Sequence, residues 1–125
     1  MTENAQFQRG IAEFNRAFFF ECHDTLEELW METSGNDRMF LQGLIQVSVG
    51  FYHFFNENYK GAASQLTKGL GKLDRYRPMH RGIELEEFTK QIVTWRALAE
   101  RGLAGNGIKA EQFTIPKIHV VQPQR

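Results

Sequence analysis

The stretch that most constrains this chain is FLQGLIQVSVGFYHFF, residues 40–55. On a helical wheel Leu41, Leu44, Ile45, Val47, Val49, Phe51, Phe54 and Phe55 surround the whole circumference. A helix that is apolar all round is covered by neighbouring elements on every side. It therefore belongs at the centre of its domain, and the rest of the chain has to supply the cover. Gly43 and Gly50 each give up about 1 kcal/mol of helix propensity here, which points to a partner backbone lying close. The stretch does not read as a membrane span. Gln42, Gln46 and His53 interrupt it, well short of the roughly 18 uninterrupted apolar residues a span needs.

The cover is expected to be helical as well. Prolines occur only at 78, 116 and 123, so residues 1–77 lack the strongest helix breaker. Apolar periodicity predicts helices over about 2–18, 20–32, 37–56, 59–76 and 84–101. The first carries Phe7, Ile11, Phe14 and Phe18 on one face. Gly35 stops the second, and Asn36 or Asp37 caps the third. The fourth buries Ala62, Ala63, Leu66, Leu70 and Leu73, and the fifth Leu85, Phe88, Ile92, Trp95 and Leu98. RYRPMHRG, between these two, is a loop. The final FTIPKIHVVQPQR is extended and packs through Phe113, Ile115 and Ile118, while Val120 and Val121 form an edge or fray. The expected fold is all-α: a compact five-helix bundle or array, residues 1–125 as one helical domain, with a short extended C-terminal tail.

Composition narrows the function classes. Lys plus Arg and Asp plus Glu number 15 each, so no global basic field attracts nucleic acid. The single cysteine, Cys22, excludes an internal disulfide framework and suits a reducing compartment. The opening MTENAQFQRG has no basic region followed by an apolar run, so it does not read as a secretory signal. The expectation is a soluble cytoplasmic protein that binds neither nucleic acid nor membrane. Open partners are a small molecule, a second protein, or a homo-oligomer formed through a face that Phe-rich helices leave uncovered.

Two polar stripes interrupt the apolar pattern. On the central helix Gln42, Gln46 and His53 fall on one narrow line. On the second helix His23, Glu27 and Trp30 form another, bordering Phe19 and Leu26, while Glu21, Asp24, Thr25, Glu28 and Glu32 make the solvated side. Burying these groups unpartnered would cost several kcal/mol, at about 1–3 kcal/mol for each orphaned group. The economical arrangement has the two stripes facing each other across the helix pair, with Glu27 accepting from Gln amides or a His N–H and the Trp30 indole seeking an acceptor.

Three readings of that cluster compete. It is a hydrogen-bonded network that fixes helix register. Alternatively it holds a divalent metal such as zinc on His23, Glu27 and His53, a two-His, one-carboxylate set that lacks the HExxH spacing. Or it binds a ligand or does acid–base chemistry, with Glu27 orienting His23 as the catalytic pair and Trp30, Gln42, Gln46, Tyr52 and His53 lining the site. Cys22 points about 100° away from His23, so the two do not form a nucleophilic pair, and a core cysteine is expected. Arg75, Tyr76, Arg77, His80 and Arg81 could hold an anion, though composition is the only signal.

The residues also carry a resemblance. His23, Glu27 and Trp30 fit the pattern His-x-x-x-Glu-x-x-Trp, and Leu41, Gln42, Ile45, Gln46 and His53 fit a following Leu-Gln-x-x-Ile-Gln with a later His. In this order and spacing the chain resembles the uncharacterised family DUF 309, a domain of unknown function, over roughly residues 14–76. The resemblance implies a small all-helical fold and an active site built on the motif's His and Glu. It implies no reaction and no substrate.

Overall fold

The computed structural model describes residues 2–121. Helix α1, Glu3–Asn15, is capped by the Thr2 hydroxyl, which accepts the Ala5 N–H at 3.1 Å. It buries Phe7, Ile11 and Phe14, the stripe read from the sequence. It ends before Phe18, however. Ala17 adopts a left-handed conformation, φ 62°, and redirects the chain. Phe18 is therefore not on the buried face but 44% exposed. The Arg16 guanidinium lies 4.8 Å over its ring.

Helix α2, Phe19–Met31, buries Phe19, Cys22, Leu26 and Leu29. Helix α3, Asn36–Phe55, is the central element anticipated from its composition, burying Phe40, Leu41, Leu44, Ile45, Val47, Phe51 and Phe54. Its cover has one opening: Val49 is only half-buried and Phe55 is 46% exposed. Helix α4, Tyr59–Leu73, presents Ala62, Leu66, Gly69 and Leu73 to α3 at helical spacing. The backbones approach closely there. A Cβ at Gly50 would stand 2.7 Å from the Leu66 side chain, and one at Gly43 would stand 3.0 Å from that of Leu73. Ala63 and Leu70, expected inside, are half-buried.

The loop expected after α4 is more ordered than its composition suggests. A 3-10 turn, Asp74–Tyr76, extends α4. A two-stranded antiparallel hairpin follows, β1 Met79–His80 with β2 Ile83–Glu84, and His80 pairs with Ile83. Its two-residue turn puts Arg81 at φ 51° and Gly82 at φ 76°. Two successive positive φ values are what this tightest hairpin connection requires. Helix α5, Glu86–Leu103, buries Phe88, Ile92, Trp95 and Leu98 as read, and the preceding Leu85 is buried too.

Beyond α5 the chain is mostly extended, apart from a 3-10 turn at Ala110–Gln112. Ile118 is buried, whereas Phe113, expected to pack, is exposed. The tail is held through its backbone. The Asn15 side chain donates to the Ile118 carbonyl at 2.9 Å and accepts the Ile118 N–H at 2.7 Å. Val120 forms an isolated bridge to Ile83, the edge pairing considered for it, and Val121 is exposed. The end of the tail, from residue 122, lies outside the described residues.

Successive helices pack on each other, and their apolar faces share one core. Its centre is aromatic: Phe14, Phe19, Phe51, Phe54, Phe88 and Trp95 meet largely edge to face. The fold is an all-α array with one minimal hairpin. Among the described residues, no helix is long and apolar enough to cross a membrane.

Candidate functional site

α2 and α3 bring His23 and His53, one residue from each stripe, to a common seam, and that seam is mostly apolar. Phe19, Phe20, His23, Val49, Tyr52 and His53 line a shallow pocket of about 190 Å³ there. Phe20 and Tyr52 are 50% and 39% exposed, and their rings lie 5.5 Å apart. A second pocket, of about 310 Å³, shares Phe19 and Tyr52 and continues to Phe55, Ala17 and Ile115. Tyr52 thus stands as a ridge between two apolar hollows. Their floor is the Phe19 ring, stacked on Phe51 at 5.3 Å and on Phe55 at 6.1 Å.

The polar side chains are placed differently from the expected network. His23 turns to its own helix, with Nε2 2.8 Å from a Glu27 oxygen and Nδ1 3.2 Å from an Asp24 oxygen. Gln46 leaves the α2 side altogether, and its Oε1 accepts from Lys72 of α4 at 2.9 Å. His53 sits at the last turn of α3, with Nδ1 3.3 Å from the Asn58 amide. Gln42 is half-buried. Trp30 is held at the other end of α2, where the Arg38 guanidinium lies 3.9 Å over its ring. Arg38 also donates to the Trp30 and Thr33 carbonyls at 3.1 and 3.0 Å, capping the C-terminus of α2.

The shared cluster of Glu27, Trp30, Gln42 and Gln46 across the helix pair is therefore not formed. The reason is proximity: His23 pairs with Glu27 and Asp24 of its own helix, Gln46 with Lys72 of α4, His53 with Asn58 beyond the end of α3, and Trp30 with Arg38 in the first turn of α3. From the candidate list His23, Tyr52 and His53 meet at one pocket, and Glu27 joins them only through His23. Phe20, Val49 and Phe19 complete the lining and were missed by a reading that followed polar residues. The exposed Phe20 beside Tyr52 has no sequence signal beyond its aromatic character.

The donor set does not gather around a metal position. Among the described residues no three His, Cys, Asp or Glu side chains are gathered closely enough to hold an ion. His23 directs both ring nitrogens at carboxylates of its own helix, so the set His23, Glu27 and His53 does not converge.

Cys22 is a core residue, as expected. Burial pushes its thiol up to about 12, reinforced by the nearby Glu13 charge and opposed by hydrogen bonds from Ser48 and the Phe14 backbone. A thiolate is the reactive form. A thiol-specific chromogenic reagent at neutral pH should therefore leave the native protein untouched and titrate one equivalent in denaturant. Rapid reaction of the native protein would contradict this burial.

Residues 7–65 match the family described as Domain of unknown function (DUF309). The matched segment runs from Phe7 in α1 through α2 and α3 into the first half of α4. The chain is also similar to the uncharacterized protein YpuF of Bacillus subtilis (strain 168), with 34% identity over 67 residues. That alignment covers 53% of this chain and 37% of YpuF, so the similarity spans well under half of that relative.

Proposed function

We propose that this protein is a ligand-binding or interaction module whose site is the groove on either side of Tyr52. The observation that carries this reading is the exposure of Phe20, Tyr52 and Phe55 together over two adjoining apolar pockets. Exposed apolar residues scattered singly need no explanation, but a contiguous patch over concave surface is characteristic of binding sites. The polar motif residues then serve the groove from its edges. His23 forms part of one wall and is fixed by Glu27 and Asp24, while Trp30 with Arg38 secures the end of α2.

The pocket beside His23 has room for one ring or one branched aliphatic group. Titration with indole and with phenol, followed by amide chemical shifts, should therefore perturb residues 19–23, 49–53 and 55. Tyr52→Ala should abolish those perturbations while leaving the spectrum otherwise folded. Shifts scattered over the surface, or absent at high ligand concentration, would overturn the reading.

A second reading draws on the 2.8 Å contact of His23 with Glu27. In it His23 is a general acid or base oriented by Glu27, and the module is a hydrolase. It is the weaker of the two, because Asp24 engages the other ring nitrogen, the one a substrate would need.

A further inference from the structure

The groove lies on the most one-sided charge distribution in the chain. From Ala17 to Asp37 there is no lysine or arginine, against the carboxylates Glu21, Asp24, Glu27, Glu28, Glu32 and Asp37. On α2 these groups do not surround the apolar ones at random. At about 100° per residue, Phe20, Glu27, Asp24 and Met31 fall on one exposed ridge, and Glu28 and Glu21 follow on the flank toward α1. Met31 is 66% exposed, so the ridge is apolar at both ends and acidic between. On that flank a pocket of about 330 Å³ opens between α1 and α2, lined by Arg9, Glu13, Glu21, Asp24 and Glu28 among others. Glu13 gives one oxygen to Arg9 at 3.4 Å. Its other oxygen, Oε1, is buried with no hydrogen-bond partner among the described residues. The remaining nearby cations are committed elsewhere, Arg16 over Phe18 and Arg38 over Trp30.

Resting on the proposed groove, we infer that its partner is a basic amphipathic peptide segment of another protein, with an aromatic or branched aliphatic side chain entering beside Tyr52 and Lys or Arg side chains lying along the acidic face of α2. Three observations select this occupant. The pocket at His23 is apolar and takes one side chain, so the anchor is uncharged. The surface beside it carries the carboxylates of α2 with no lysine or arginine on that helix, and Arg9 of α1, which lines the flank pocket, is paired with Glu13, so the flanking groups are positive. The ridge from Phe20 to Met31 is about 16 Å long at 1.5 Å per residue, a length suited to a peptide and too long for one small ligand in a shallow pocket. A two-fold contact between copies of this chain through α2 would place carboxylates opposite carboxylates, which disfavours self-association by this face.

The test uses the intact protein and fluorescence anisotropy with three short labelled peptides. One alternates Phe and Leu with Lys and Arg. In the second Glu replaces the basic residues, and in the third Ser replaces the apolar ones. The first should bind, the other two at least about tenfold more weakly, and rising salt should weaken the first. Tyr52→Ala, and separately the pair Asp24→Lys with Glu28→Lys, should each lower its affinity about tenfold. Glu111→Lys, the same kind of charge change far along the chain, should not. The inference falls if the basic amphipathic peptide does not bind, if the Ser peptide binds equally, or if Glu111→Lys weakens binding as much as the α2 changes. It falls as well if light scattering shows a dimer that Tyr52→Ala dissociates, which would make a second copy the occupant. Tyr52-dependent binding of the acidic peptide alone would overturn the basic partner and leave the groove standing. Loss of all Tyr52-dependent binding, of peptides and of the aromatic fragments, would remove both.

Discussion

Phe51→Ala should lower stability by about 3–5 kcal/mol, the range for truncating a fully buried aromatic side chain. Phe51 has no solvent exposure, and its ring is the junction of the core. It meets Phe14 of α1 at 5.9 Å, Phe19 of α2 at 5.3 Å and Trp95 of α5 at 5.6 Å. Three helices therefore each lose an aromatic contact with α3 at once, and rings that face each other across the void cannot all move in to fill it. Each aromatic pair adds about 0.5–1.5 kcal/mol beyond area burial, which places the change toward the upper end of the range. A domain of this kind has about 5–15 kcal/mol to lose. Phe55→Ala is the comparison. Its ring stacks on the same Phe19, but it is 46% exposed, so a loss of about 1 kcal/mol is expected. Urea unfolding checks both. The midpoint for Phe51→Ala should drop several times further than that for Phe55→Ala, with the slope unchanged. Equal shifts would mean that the aromatic junction does not hold the array together.

Phe51 and Phe55 also mark how far the sequence can be read. The all-round pattern of residues 40–55 identifies the central helix because burial depends on composition around a single axis, which a wheel displays. Helix ends were less legible. Phe18 continues the spacing of Phe7, Ile11 and Phe14, yet the chain turns at Ala17, a residue with no turn signature. The hairpin was missed because strands of two residues are too short to show alternation. The only local cue is Arg81–Gly82, a pair at the hairpin turn in which Gly meets a positive φ without strain.

The candidate site was legible in direction and not in partnership. A wheel shows which side of its own helix His23 or His53 occupies, and both do border the pocket between α2 and α3. It carries no information on which neighbour comes nearest. Gln46 is reached by Lys72, a long side chain from a helix 26 positions on. His23 is reached by Glu27 one turn away, so its buried-network role is replaced by a local pair. Polar groups drew attention to the right seam, but the surface that distinguishes it is made by Phe20 and Tyr52. Exposed aromatics look like core residues until a structure shows which ones the core leaves out.

Gly69→Ala should destabilise the protein by about 1–3 kcal/mol, against the gain of about 1 kcal/mol that alanine brings to a helix interior. The reason lies in what the new methyl group would meet. A Cβ at Gly69 would stand 2.7 Å from the Val47 side chain, 2.9 Å from the Gly43 carbonyl oxygen and 3.1 Å from the Val47 nitrogen. Two of those three atoms belong to the backbone of α3, so no rotamer change relieves the crowding, and α4 as a whole has to move outward. That movement would also loosen Leu66 and Leu73, which pack over Gly50 and Gly43 on either side. Gly71, two residues on in the same helix, has nothing within 4 Å of its would-be Cβ. Gly71→Ala should therefore raise stability by up to about 1 kcal/mol through helix propensity alone. The pair separates packing from propensity within one helix, because the same substitution is expected to move the denaturation midpoint in opposite directions. Two shifts of the same sign would show that α3 and α4 do not meet as closely as their glycines require.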